Sequence, residues 1–345
     1  MRAVSLLMIA ALAGCSSTGT DAPAVPIDPE GTAPPMPGSS VDPPPAQMPV
    51  LDPLALQPLF TEHLGRLTAT AKNPGEPLGL RGTDLGSSFV SGGTVNFLFG
   101  DTMSVDPAKK DLDSTAHAAL ALPSDGSMPS LAWLTGSDGQ FTPLAVPGIA
   151  LGTMNVPVEG VAADVTYVFF ATEFDFGANT WKHSALAHGP DLAHLVLDHD
   201  VATTKFQNVS VVAEGADAWI FGSGQYRASP VYLAKVPLAH IADRDAWRYL
   251  ASGAFVAGEE NATPVADSAC VGELSVRKHA ALGAWLMTYN CSAPRGIVLR
   301  IATAPTGPWT DPRLVFDPGA IGYEKFMHAR ESVVGHDDGL SQVGN

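Results

Sequence analysis

The sequence predicts an all-β fold, a five-bladed β-propeller, and three observations carry that prediction. Short strand-like runs recur at even spacing, each unit has an aromatic-rich second strand, and no stretch shows the apolar period of an amphipathic helix. The first strands begin near "GTDLGSSFV", "PVEGVA", "FQNVSVV", "GELSVR" and "MHARESVV", each with a polar side chain near its start: Asp84, Glu159, Asn208, Glu273 and His328. The second strands, "VNFLFGDT", "TYVFFATE", "AWIFGSGQYR" and "AWLMTYNCS", end at Asp101, at Glu173, at Gln225 with Tyr226 and Arg227, and at Asn290. Third strands follow in "AHAALAL", "HSALAHG", "PVYLAKV" and "VLRIATA". In a propeller the innermost strands line the central axis, so their first residues ring one mouth of the channel. The second strands run back to that same mouth, and the polar side chains are expected to converge on one pocket. The fifth unit lacks a second strand before the chain ends at "SQVGN". Its blade is expected to be incomplete, or to be closed by the N-terminal stretch "HLGRLTATA".

The ends are read separately from the fold. A charged start at Arg2, an apolar run to Ala13, then Gly14 and Cys15 have the layout of a secretory signal with a lipobox-like cysteine. This reading removes residues 1–14 and lipidates Cys15. Residues 15–57, rich in Pro, Ser, Thr and Gly, form an extended tether, and 58–345 the propeller domain. The expected location is the cell envelope, with membrane contact through the lipid alone; Ser16 after the cysteine points to the outer membrane. A net charge of −16 and the lack of a basic, aromatic-interleaved patch argue against nucleic acid as a partner and suit a neutral or cationic ligand. Export places Cys270 and Cys291 in an oxidising compartment, where a disulfide is expected.

The hairpin over residues 82–102 is the most informative element. With Gly92-Gly93 as a two-residue loop, uninterrupted pairing puts Asp84 directly across from Asp101, with β-carbons about 4.5–5.5 Å apart. Two like charges that close repel unless they hold a cation, share a proton or serve chemistry. Three accounts stay open: a glycosidase pair of acid and base or nucleophile; a structural calcium site; and a cap with a turn residue bonding nearby backbone. No other cofactor or metal is expected. Geometry alone gives Glu159, Asn208, Gln225, Glu273, Asn290 and His328 supporting roles toward substrate. Tyr226 could stack on a sugar ring, and Arg227 could pair with a pocket carboxylate. His183, His188, His194 and His199 match no compact zinc spacing, and Ser223 lacks the flanking pattern of a nucleophile elbow.

The stretches "GTDLG", "LFGDT", "PVEGVA", "KFQNVSVV", "GSGQYRASPVYLAKV" and "VGELSVR" with "GPW" resemble the bacterial domain-of-unknown-function family 4185, over about residues 62 to 330. Some members of that family are assigned to glycoside hydrolase family 183, endo-acting D-arabinanases. The resemblance implies a five-bladed propeller that hydrolyses an arabinan-like polysaccharide with two aspartates, one from each half of the "GTDLG"/"FGDT" motif. Those map onto Asp84 and Asp101. A non-catalytic glycan-binding or scaffolding lipoprotein is the alternative.

Overall fold

A computed structural model describes residues 52–55, 67–68, 70–106, 112–121, 123, 127–151, 154–292 and 294–317. The Cys15 and signal readings, most of the tether and "HLGRLTATA", and His328 lie outside the described residues. Four antiparallel sheets follow one another along the chain. The first comprises β1 (Leu80–Ser91), β2 (Thr94–Ser104), β3 (Leu112–Ala119) and β4 (Ala132–Trp133); the second β5 (Val156–Ala162), β6 (Thr166–Asp175), β7 (Thr180–Gly189) and β8 (Val196–Ala202). The third comprises β9 (Asn208–Glu214), β10 (Asp217–Ser223), β11 (Val231–Pro237), β12 (Arg248–Ala251) and β13 (Ala254–Val256); the fourth β14 (Leu274–His279), β15 (Ala284–Ser292), β16 (Arg295–Ala302) and β17 (Arg313–Phe316). The only helices among the described residues are single 3-10 turns.

The aromatic-rich second strands read as nearly unbroken apolar runs because both of their faces are covered. On β6, Val168 and Phe170 pack toward the first sheet with Phe89 and Leu98, whereas Tyr167, Phe169 and Ala171 pack toward the third with Phe206 and Ile220. On β10, Ala218 and Ile220 face the second sheet, and Phe221 faces the fourth with Trp285 and Met287. Alternation along these second strands thus serves two interfaces, one on each face. The sheets are the blades of a propeller, with the first strand of each blade innermost.

A polar hub ties the inner strands together across the axis. The Arg277 guanidinium on β14 donates to Glu159 on β5 (Nη1 to Oε2, 2.9 Å) and to the Ser88 carbonyl on β1 (2.8 Å). Ser210 on β9 donates to the same Glu159 oxygen at 2.8 Å. All four blades contribute one partner, and Glu159 is only 2% exposed.

Four blades, not the five expected, stand among the described residues. The run assigned to the fifth, "MHARESVV", lies outside the described residues. Leu54 packs beside Leu286 and Leu299 of the fourth blade, and Arg313 donates to the Leu54 carbonyl at 2.9 Å, within the segment assigned to the tether. Farther along, Asn73 fastens the chain to the first blade's outer loop through bonds with the Pro129 carbonyl and the Leu131 amide.

Candidate active site

Asp84, Asp101, Asn208, Tyr226 and Glu273 line one cavity of about 310 Å3 at the mouth of the channel. Of the strand-end residues expected to converge, these five meet there, whereas Glu159, Gln225, Arg227 and Asn290 do not line the cavity. The opening hairpin starts as expected, with Gly92 and Gly93 at φ 59° and 78° and Ser91 paired with Thr94. The register then slips. Leu85 pairs with Phe99 but Ser87 pairs with Leu98, so Gly86, at φ 112°, is an extra residue on β1, and Asp84 faces Gly100 instead of Asp101. A second irregularity lies on the other side of β2, where Phe99 pairs with Ser114 and Thr102 with Leu112. Gly100 and Asp101 together therefore oppose the single residue Asp113. The two bulges bring both aspartates to the cavity from neighbouring positions that are not cross-strand partners of each other.

The opposite wall is aromatic. Phe174 and Trp181, from the hairpin that joins β6 to β7, meet edge to face at 4.9 Å, and Trp181 meets Tyr226 at 5.5 Å. Phe176 at the hairpin tip is 74% exposed. Blade three holds this tip: Asn179 donates to the Tyr226 carbonyl at 2.9 Å, and Gln225 to the Ala178 carbonyl at 3.0 Å. Gln225 is thus a brace outside the cavity. The Arg227 guanidinium lies over the Tyr226 ring, 4.8 Å from its centroid.

Glu273 is held by the Tyr226 hydroxyl, which donates to Oε1 at 2.8 Å, and by the Asn290 amide, which donates to Oε2. Asn290 is 8% exposed and orients Glu273 without lining the cavity. Burial, with the Glu273 charge adding to it, pushes the Tyr226 hydroxyl far above its ordinary range, so it stays a hydrogen-bond donor. Glu159, expected to touch substrate, is instead buried in the axial hub, because a carboxylate in mid-strand on the axis needs the Arg277 charge to be tolerated there. Cys270 and Cys291 form the expected disulfide, with Cα atoms 5.2 Å apart.

Backbone strain concentrates around this mouth. Leu85, Asp101, Met154 and Asn179, all lining the cavity, have φ between 40° and 61°, and Glu173 and Arg227 beside it have 56° and 53°. Non-glycine residues rarely occupy that region and do so mostly where surrounding structure fixes a functional group. Past Phe174 a second cleft of about 380 Å3 opens, walled by the Lys182–Glu173 and His183–Asp200 pairs. Three of the four histidines set aside as metal ligands pair with acids: His183 with Asp200 and His188 with Asp198 of β8, and His194 with Asp191 of the preceding loop. Among the described residues no group of three or more His, Cys, Asp or Glu side chains is placed to hold a metal ion.

The aromatic wall and Asp113 escaped the sequence reading. The closely spaced rings of "FDFGANTW" were the available signal for the wall. For Asp113, in the run "DLDST", the sequence offered none.

Comparison with known proteins adds the following. Notoamide biosynthesis cluster protein J of Aspergillus sp. (strain MF297-2) is 27% identical over 309 residues, covering 76% of this chain and 79% of the fungal protein. Notoamide biosynthesis cluster protein J' of Aspergillus versicolor is 28% identical over 287 residues, covering 71% and 75%. Among solved structures, a candidate hydrolase from Bacteroides ovatus ATCC 8483 is similar at 14% identity and a TM-score of 0.49, covering 69% of this chain and 71% of its own. An alpha-L-arabinofuranosidase from Podospora anserina, solved with cellotriose, is similar at 12% identity and a TM-score of 0.38, covering 67% of each chain. The profile of the domain of unknown function DUF4185 matches residues 167–336, from the second blade onward.

Proposed function

We propose that the protein is a glycoside hydrolase that cuts an arabinan-like polysaccharide, with Asp84 and Asp101 as its acid and base or nucleophile. The observation that carries this reading is the cavity itself: two aspartates from successive strand ends on one wall, and Phe174, Trp181 and Tyr226 on the other. Sugar rings present apolar faces that stack on aromatic side chains and hydroxyls that bond to acids and amides, which suits Asn208 and Glu273 as substrate-orienting groups. One carboxyl protonates the leaving oxygen as the glycosidic bond breaks. The other attacks the anomeric carbon or takes a proton from the attacking water. No cofactor enters this reaction, and a structural calcium at the pair is not part of it.

We also propose the cellular setting read from the N-terminus: export, lipidation at Cys15, and display from the envelope on the tether, toward a polysaccharide partner. A specific observation favours the non-catalytic glycan-binding reading as the second one. Asp84 Oδ1 accepts from the Leu85 amide at 2.6 Å, the local bond a turn residue makes.

Incubating the protein with a panel of arabinans, including mycobacterial arabinogalactan, separates the two. Oligosaccharides released by the parent and not by Asp101→Asn support hydrolysis. A folded parent that retains arabinan but releases nothing leaves the binding module.

A further inference from the structure

Asp113 is a buried acid that neither the motif nor the proposed reaction uses. It is the second residue of β3, is 4% exposed, and sits across from the Gly100–Asp101 bulge. Its Oδ1 is sealed from solvent with no hydrogen-bond partner among the described residues. Its backbone is pinned, since the Asp113 carbonyl accepts from the Leu144 amide at 2.9 Å and its neighbour Ser114 exchanges a 2.8 Å side-chain bond with Thr102. A carboxyl oxygen without a donor is costly to bury as an anion but not as an acid, because the acid brings its own O–H.

We propose that Asp113 is a positioning residue for Asp101: from behind the bulge its carboxyl O–H donates to the Asp101 carboxylate and holds that side chain toward the cavity. Burial, with the Asp101 charge adding to it, pushes the Asp113 carboxyl well above the ordinary carboxylate value, which keeps the donor proton in place. A donated hydrogen bond favours the charged form of its acceptor, so Asp101 stays ionised. This assigns roles within the hydrolytic reading, on which it rests: Asp101 is the base or nucleophile, and Asp84 supplies the proton to the leaving oxygen. The ionisable groups around the pair are Asp84 from β1 and, across the cavity, Tyr226 and Glu273, with Arg227 over the Tyr226 ring; Glu159 of β5 is taken up by Arg277.

The test compares the parent with Asp113→Asn, which keeps a neutral donor, and Asp113→Val, which has none. A group whose folded-state pKa is raised holds its proton after the unfolded chain has lost it. Parent stability therefore falls as pH rises through the ordinary value of 3.8 and stops falling only at the higher folded value. Asparagine does not titrate, so the stability advantage of Asp113→Asn in urea unfolding should grow with pH above that point, and should grow less in an Asp101→Asn background. A gap that is flat with pH, or that ignores Asp101, overturns the proposal whether or not any glycan is cut. Where the parent cuts glycan, the acid limb of the kcat/KM profile should stay in place for Asp113→Asn and move up by about one pH unit for Asp113→Val. An unmoved limb in a folded, active Asp113→Val overturns the proposal and leaves hydrolysis standing. A parent that cuts nothing fails the hydrolytic reading, and the roles given to the aspartates fall with it.

Discussion

At the scale of single residues, the same acid chemistry has opposite uses in two places a few strands apart. Glu159 and Asp84 both begin as polar residues near the start of an inner strand, and the sequence makes them equivalent. Glu159 is drawn into the axis, where Arg277 and Ser210 satisfy it, whereas Asp84 stays at the cavity. The sequence could not separate them, because the partner of Glu159 lies 118 residues away on β14. Removing that partner leaves an uncompensated charge in a dry site, so Arg277→Ala is expected to destabilise the fold by about 3 kcal/mol or more. Replacing both members, as Glu159→Gln with Arg277→Met, should recover much of that loss in urea unfolding. If the single variant unfolds at the parent's urea midpoint, the hub is not what holds the inner strands together.

At the scale of elements, the opening hairpin shows how far local rules reach. The Gly92-Gly93 turn and the pairing from Ser91 back to Ser87 follow from turn chemistry alone. The next step does not, because a bulge is decided by what the strand must pack against and not by the residues that form it. Gly86 supplies the φ of 112° that the bulge needs, and Gly100 leaves room for Leu85 and Val156, atoms of which lie within 3.0 Å of where a β-carbon would sit. The aspartate pair was legible as a pair, then, but its one-residue offset was not. Gly86→Ala is expected to cost about 1–2 kcal/mol of stability, since alanine tolerates that backbone poorly. The larger effect should be on turnover, because the bulge sets the aim of Asp84. A variant with full turnover and parental stability would show that the hairpin reaches the same geometry without a glycine there.

At the scale of the whole molecule, blades pack mainly against their sequence neighbours, so the mouth is only as well ordered as the blade ends that meet there. Repetition made this architecture readable: four inner strands and their partners were located from spacing and aromatic content. The count of five blades was not matched by the four sheets among the described residues, and the run assigned to the fifth lies outside them. The fourth blade differs from the others in having a covalent clasp at the mouth. Cys270 lies three residues before Glu273 and Cys291 directly follows Asn290, so the disulfide closes around the two side chains that bond each other at the rim. Closing a loop of 21 residues is worth about 3 kcal/mol in chain-entropy terms. Because few contacts link blade four to blades one and two, that loss should be spent locally before it is spent globally. Replacing both cysteines with serine is therefore expected to release amide protection in β14 and β15 in hydrogen exchange while β6 and β7 keep theirs. Glycan binding should weaken in parallel, through the freed Glu273. If protection instead falls evenly across all four blades, the propeller unfolds as one unit and the clasp stabilises the whole molecule more than the rim.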